Sequence, residues 1–431
     1  MGSLPIKPVI KRFISFGCWN RFVDSNSTSK KGFGFQKVLP EIQKHVDIPG
    51  YKTDFVLISG DNYYPAKDKN HAGEKIKTVN ADQLQAGFSL LPKNTEVHLI
   101  LGNHDIETGP NIFNTQGQTT KCNISKLEKS ALHPEVSLKD ALKIHIFHAF
   151  MWTPNTAIIM FDTSLYDDLD PDTVDCYDEF EPLKEFLIED KKQKRIKEQE
   201  DYIMDFLEQN STQPIQNVIL MGHYPIVSIK MKEAKEKDKK KDKKSEEKST
   251  KDKPKMKEKA ECCLFTHLFT DIHQMFDHRQ LQQPHYHYLC ADVHMYQKVI
   301  VNIPIVPKPE KTSPGEIEDL ETGDESLVSL SKKTIIEPPK QMEITQYVVG
   351  TGGAELDDPP SLNPRDSVNE VKPKTVTIPN TEQIVEFNVE QAQKSNGFLE
   401  CVLYPGDPKL YFEFNPINET TIAKQVKNKS I

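Results

Sequence analysis

A layered α/β domain is predicted by two features of the 431-residue sequence. Short, nearly continuous apolar runs alternate with amphipathic segments, and polar residues follow several of those runs directly. In chain order the predicted strands are 11–17, 54–59, 97–101, 157–161, 217–221, 286–290 and 345–349. Runs such as Phe55-Val-Leu-Ile58 and Val218-Ile-Leu-Met221 lack the polar alternation of a half-exposed strand, so they suit a sheet covered on both faces. Helices are expected at 33–46, 181–209 and 264–278. In the second, Tyr202, Ile203, Phe206 and Leu207 share one face by their spacing. The stretch 397–414 reads as a hairpin closed by Pro405-Gly-Asp-Pro408.

Composition narrows the function classes. Charged residues make up 28% and hydrophobic ones 36%, a soluble globular composition diluted by polar segments. No run approaches the ~20 apolar residues of a membrane helix. The first strand begins at residue 11, which leaves little room for a secretory signal and leads us to expect an intracellular, cytoplasmic protein. The seven cysteines (18, 122, 176, 262, 263, 290, 401) form no C-x-x-C pair, so reduced thiols are expected rather than a disulfide framework or a zinc finger.

The net charge of −9 is uneven: residues 230–259 hold 15 Lys against 8 acidic residues, leaving 40 basic and 56 acidic residues elsewhere. A body that acidic should not bind nucleic acid, and any phosphate it handles should require a metal. Segment 230–259 has no aromatic residue and is expected to be a disordered, solvated insertion, the alternative being a basic patch for nucleic acid or acidic lipid. Pro/Glu/Ser-rich stretches at 304–342 and 356–380 are expected to interrupt the same domain, which spans 8–415 and ends in a tail, 416–431.

The polar residues that follow the strands carry the chemistry, because open α/β sheets gather ligands beyond the carboxyl ends of their strands. The first strand runs into Gly17-Cys-Trp-Asn20, the second into Gly60-Asp-Asn-Tyr-Tyr64, the third into Gly102-Asn-His-Asp105. Two later strands run into Gly222-His-Tyr-Pro225 and Ala291-Asp-Val-His294. Each block alone could be a turn; in order, they deliver convergent O and N donors suited to Zn, Fe or Mn.

This ordered set resembles the calcineurin-like metallophosphoesterase superfamily and, within it, the small purple (tartrate-resistant) acid phosphatases. Supporting matches are Phe161-Asp-Thr163, the helix Gln199–Leu207 and Val349-Gly-Thr-Gly-Gly353. The resemblance implies a four-layer αββα sandwich with a dinuclear centre, iron paired with iron, zinc or manganese. It implies that Asp61 bridges the metals, that Tyr64 and His294 bind the first, and that Asn103 and His223 bind the second. His104, oriented by Asp105, would serve the leaving group. The implied activity is hydrolysis of phosphate monoesters on a small phosphorylated substrate by a metal-bound hydroxide, with phosphodiesters as a further option.

Two positions depart from the family pattern. Cys18 stands where the family has an Asp ligand, with Asn20 as a possible accessory donor, and Asp292 stands where it has a His ligand. Cys18 is either a thiolate ligand or a small buried apolar residue, and Asp292 either a ligand or a turn residue. The rival reading is therefore a pseudoenzyme that keeps the fold as a scaffold. His267, His273, His278, His285 and His287 are expected to be packing or surface residues, and His145 or His148 could line the substrate cleft. The composition leaves the oligomeric state open.

Overall fold

The computed structural model describes residues 9–20, 35–48, 52–62, 64, 66–69, 75–79, 86–106, 112–114, 142–167, 190–233, 256–262, 265–305, 340–353, 356–357 and 373–417. Its strands are β1 (Lys11–Phe16), β2 (Phe55–Ile58), β3 (Ala66–Lys69), β4 (Lys75–Val79), β5 (Glu96–Ile100), β6 (Ile112–Asn114) and β7 (Leu142–His145). There follow β8 (His148–Thr153), β9 (Thr156–Met160), β10 (Asn217–Met221), β11 (Val227–Glu233), β12 (Met256–Cys262) and β13 (His285–Cys290). The last are β14 (Tyr296–Pro304), β15 (Gln341–Val349), β16 (Lys374–Thr377), β17 (Ile384–Gln393), β18 (Asn396–Leu403) and β19 (Leu410–Ile417). The long α-helices are α1 (Phe35–Val46), α2 (Lys191–Asn210) and α3 (Thr266–His278), and residues 86–89 are also helical.

Two large mixed sheets form the body. One has the order β19-β18-β1-β2-β5-β7, the other β16-β17-β14-β15-β13-β10-β9-β8. The parallel pairs β1/β2, β2/β5, β9/β10 and β10/β13 point the ends of β1, β2, β5, β9, β10 and β13 toward one rim. The chain passes from one sheet to the other at β7–β8, through Ile146 and Phe147.

Strand period separates the layers. In β9 and β10, Ile158, Met160, Ile219 and Met221 join the core between the sheets, while Ala157, Ile159, Val218 and Leu220 join a second core with Ile203 and Leu207 of α2 and Phe269 and Ile272 of α3. In β1, Phe13 stacks on Phe55 of β2 at 5.3 Å and meets Trp152 of β8 edge-on at 5.1 Å, so it faces the opposite sheet. Its neighbour Arg12 points the other way and donates to the His45 carbonyl of α1 at 3.4 Å and to Glu400 Oε1 at 2.9 Å. Helix α1 therefore covers the outer face of the first sheet, and the four layers run α, β, β, α. Pro40 inside α1 costs about 3 kcal/mol. Burial of Phe35, Val38, Leu39 and Ile42, about 1.5–3 kcal/mol each, outweighs it.

Each strand expected from the sequence is present, as are α1, α3 and the C-terminal hairpin, whose turn places Gly406 at φ 79°. Helix α2 begins only at Lys191, with Asp190 accepting from the Gln193 amide at 3.1 Å; residues 181–189 lie outside the described residues.

The expected insertions are narrower than composition implied. Lys230–Glu233 and 256–259 continue the antiparallel pair β11/β12, which leaves 234–255 outside the described residues. Backbone pairing there depends on the partner strand and not on apolar content. Likewise β14 and β15 flank 306–339, β16 occupies 374–377 within the supposed low-complexity stretch 356–380, and β19 extends through Ile417. In β13, His285 is exposed while the ring of half-buried His287 packs on Phe412 at 4.8 Å, so that pair is surface and packing as expected.

Candidate metal centre

Three of the strand-end turns pass through a left-handed residue that is not glycine: Cys18 (φ 51°), Asp61 (φ 53°) and Asp292 (φ 55°). Such backbone costs on the order of 1–3 kcal/mol where the surroundings enforce it, and it concentrates at functional sites. Here the enforcement is a set of bonds between loops. The Cys18 amide donates to the Gly60 carbonyl at 3.0 Å and the Trp19 amide to the Asp61 carbonyl at 3.3 Å. Gly17 donates to Val349 at 3.0 Å, and Gly352 donates back to Gly17 at 3.0 Å. Glycine is required where β2, β5 and β10 converge. A Cβ on Gly102 would collide with the Asp61 amide nitrogen, and one on Gly60 (φ 87°) would lie 2.6 Å from His223 Nδ1.

Asp61 is the hub. Its Oδ2 accepts from the Tyr64 hydroxyl at 2.9 Å and lies 3.6 Å from Cys18 Sγ. The same hydroxyl lies 3.2 Å from His294 Nε2, and ligand atoms of Cys18, Asp61 and His294 all stand within 4.8 Å of one another. The other oxygen, Oδ1, accepts from the His104 amide at 3.1 Å and stands 3.3 Å from His223 Nε2, which is 3.0 Å from Asn103 Oδ1. One carboxylate thus separates two donor groups: Cys18, Tyr64 and His294 on one side, Asn103 and His223 on the other.

Charge follows from burial. Asp61 is nearly inaccessible, which opposes its ionisation, yet the imidazoles of His223, His104 and His294 and the His104 amide together hold its carboxyl below the usual range. Burial pushes the Cys18 thiol well up, and the charges of Asp61 and Asp292 add to that, while bonds to Tyr64 and to the Asp292 backbone oppose it. Tyr64 is pushed up in the same way, by burial and then by Asp61.

The donor set fits cations. His223 Nδ1 is 2.8 Å from the Ser59 carbonyl, which can only accept, so Nδ1 carries a proton. That leaves the Nε2 lone pair facing the Asp61 and Asn103 oxygens at 3.0–3.3 Å. A metal ion among these three acceptors would take all of their lone pairs, as would an Asn103 amide turned to donate.

Asp105 works through the backbone. Its carboxylate accepts from the Gly102 amide (2.8 Å), the Asn62 amide (2.9 Å) and Asn62 Nδ2 (2.8 Å), tying the β2 and β5 loops together. Burial, followed by the Asp61 charge, raises it to about 7. His104 projects from the loop so fixed, its ring 4.9 Å from that of Tyr64. Asn20 is buried with its side chain against Gly87.

Two contributors escaped the sequence reading as site residues. Thr163 Oγ1 accepts from the amides of His223 (3.1 Å) and Tyr224 (2.9 Å) and so shapes the β10 turn; its block was visible only through the family resemblance. Asp357 Oδ2 accepts from the His294 amide at 2.9 Å, but it falls in a stretch assigned to low complexity.

Paired mixed sheets between helices, with O and N donors gathered at the strand ends, define a metallophosphoesterase sandwich. The chain belongs to the calcineurin-like phosphoesterase family, whose sequence profile matches residues 16–267, more than half of its length. Membership implies metal-dependent phosphoester hydrolysis. The match ends before β13, so His294, and Asp292 in the same turn beside Cys18, come from chain the profile does not cover. No curated protein matches the sequence significantly. Among the described residues no helix is long and apolar enough to cross a membrane.

Proposed function

We propose that the chain hydrolyses phosphate monoesters of small molecules at a two-cation centre, iron with iron, zinc or manganese, inside the cell. The observation that carries this reading is the division of labour at Asp61, one oxygen facing Cys18 and Tyr64 and the other facing His223. When bound, the paired cations would supply Lewis-acid stabilisation of phosphoryl oxygens and a lowered water pKa. Cys18, Tyr64 and His294 would hold one cation, and Asn103, His223 and Asp292 the other. As water attacks phosphorus in line and the ester P–O bond breaks, the His104 imidazole would give its proton to the departing alkoxide. The amide of His104 on Asp61 keeps that ring beside the Asp61 carboxylate. Asp105 would maintain this geometry by fixing the loop, which makes it a positioning residue.

The second reading, a scaffold that has lost catalysis, is favoured by one observation: the Cys18 thiol is fully buried with its pKa pushed up, so it reaches the thiolate form only if a cation displaces the proton. Metal content and turnover separate the two. Purified protein should carry two Asp61-dependent metals per chain and cleave p-nitrophenyl phosphate, and Asp61→Asn should reduce both. Turnover undiminished in Asp61→Asn would refute the mechanism, and a reconstituted wild-type chain that holds no more metal than Asp61→Asn would establish the scaffold.

A further inference from the structure

A second histidine cluster lies apart from the strand-end centre. We propose that His98, His145 and His148 form a binding site for a single divalent transition-metal ion of the zinc type, which pins the two sheets together at the edge where the chain crosses between them.

His98 sits in the middle of β5, five residues before Asn103, about 15 Å along the strand from that ligand position. His145 ends β7 on the neighbouring strand of the first sheet, and His148 begins β8 on the second. Ligand nitrogens of all three lie within 4.8 Å of one another. His98 Nδ1 and His145 Nε2 are 3.2 Å apart, close to the roughly 3.3–3.4 Å between two nitrogens on a tetrahedral zinc with ~2.0–2.1 Å bonds. The rings of His145 and His148 stack at 4.4 Å and Phe150 lies over His98 at 5.1 Å; because an imidazole lone pair lies in its ring plane, one of the two stacked rings turns about its side-chain bonds to share an ion with the other.

The outer shell agrees. Glu96 Oε1 stands 3.4 Å from His98 Nε2, so a proton on Nε2 directs the Nδ1 lone pair into the cluster, the arrangement that orients metal-bound histidine. Lys143 pairs with that carboxylate and is the one cation facing the cluster among the described residues. Burial is the main reason His98 falls to about 4 and His145 to about 3, and it lowers His148 too, so the imidazoles are neutral at physiological pH. His98 is buried, whereas His145 and His148 are half-buried, leaving an outer side for a fourth, water ligand.

The sequence suggested a cleft position for His145 or His148, whereas the fold groups both with His98 on β5. The sequence hid the cluster because His98 is separated from the other two by 47 and 50 positions and joins them only through strand pairing.

The test uses the full chain carrying Asp61→Asn, a near-isosteric change that silences the first centre and suits the positive φ, since Asn tolerates that region. Zinc is titrated calorimetrically. The expected result is one zinc bound per chain, weakened at least about 100-fold by adding His148→Ala and about 10-fold by adding Glu96→Gln. X-ray absorption on the zinc-loaded Asp61→Asn protein should show a first shell containing three imidazole nitrogens, a readout that needs no histidine variant to fold. Zinc binding unchanged by His148→Ala, no zinc bound by the Asp61→Asn protein, or a sulfur- or oxygen-dominated shell would each overturn the site.

Discussion

Replacing Cys18 with Asp introduces a second carboxylate beside Asp61 and restores the donor that the family pattern expects. The thiol sulfur lies 3.6 Å from Asp61 Oδ2. Two full charges at that spacing repel by about 4–5 kcal/mol at an effective dielectric near 20. Protonating one carboxyl relieves the repulsion, but at pH 7 this costs about 4 kcal/mol, three pKa units at 1.36 kcal/mol each. Asp accepts the left-handed backbone at residue 18 more readily than Cys, which recovers only a small part. The metal-free Cys18→Asp protein should therefore be about 4 kcal/mol less stable than wild type, a fall in Tm of roughly 4–8 °C. A cation between the carboxylates reverses the sign, because each charge then finds a partner. Calorimetric melting of chelator-treated and manganese-loaded protein at pH 7, with Cys18→Ser as the control for size, measures both effects. The variant should gain more from metal than wild type does and close most of the gap. A metal-free variant that melts within about 2 °C of wild type, or an equal gain from metal in both proteins, would refute the assignment of Cys18 to the centre.

Thr163→Val keeps shape but removes the oxygen that accepts from the amides of His223 and Tyr224. Two buried donors then lose their partner, at about 1–3 kcal/mol each, and the β10 turn loosens. Urea unfolding should show that loss, and metal affinity should weaken without any ligand having been changed; unchanged stability would remove Thr163 from the site's support. At His287, burial and then the charges of His285 and Lys298 lower the imidazole to about 3. Its Nδ1 is buried with no hydrogen-bond partner among the described residues. Because the folded pKa lies below the unfolded value of about 6.5, the unfolded chain binds more protons between about pH 3 and 6.5, and stability falls as pH drops through that window. Acidifying from pH 6.5 to 5 should cost wild type about 2 kcal/mol from this residue, measured by urea titration, and His287→Phe should lack that component. Equal acid sensitivity in both proteins would contradict it.

The alternation of apolar runs with amphipathic segments sufficed to place seven strands, the C-terminal hairpin and the three long helices, and the polar blocks after the runs pointed to the rim where the candidate ligands lie. These signals are local. A strand buried on both faces must be apolar throughout, and a turn leaving a parallel sheet must carry the next functional side chain within a few residues. Strands β3, β4, β6, β7, β8, β11, β12, β14, β16 and β17 were not anticipated: β3 and β12 are largely polar and pair through backbone groups, which every residue type carries, while β11 and β14 mix polar with apolar residues and so lack the continuous apolar run that marked the others.

Tertiary structure alone decided the rest. That the Asp61 carboxylate lies against Cys18 and His223, that Asp105 ties its loop to the Asn62 amide, and that His98 meets His145 across a strand pair are contacts between positions 40 or more apart. Periodicity reports only which face a residue takes along its own element. Which faces then meet depends on the order of strands in the two sheets, a property of the whole chain and of no single segment.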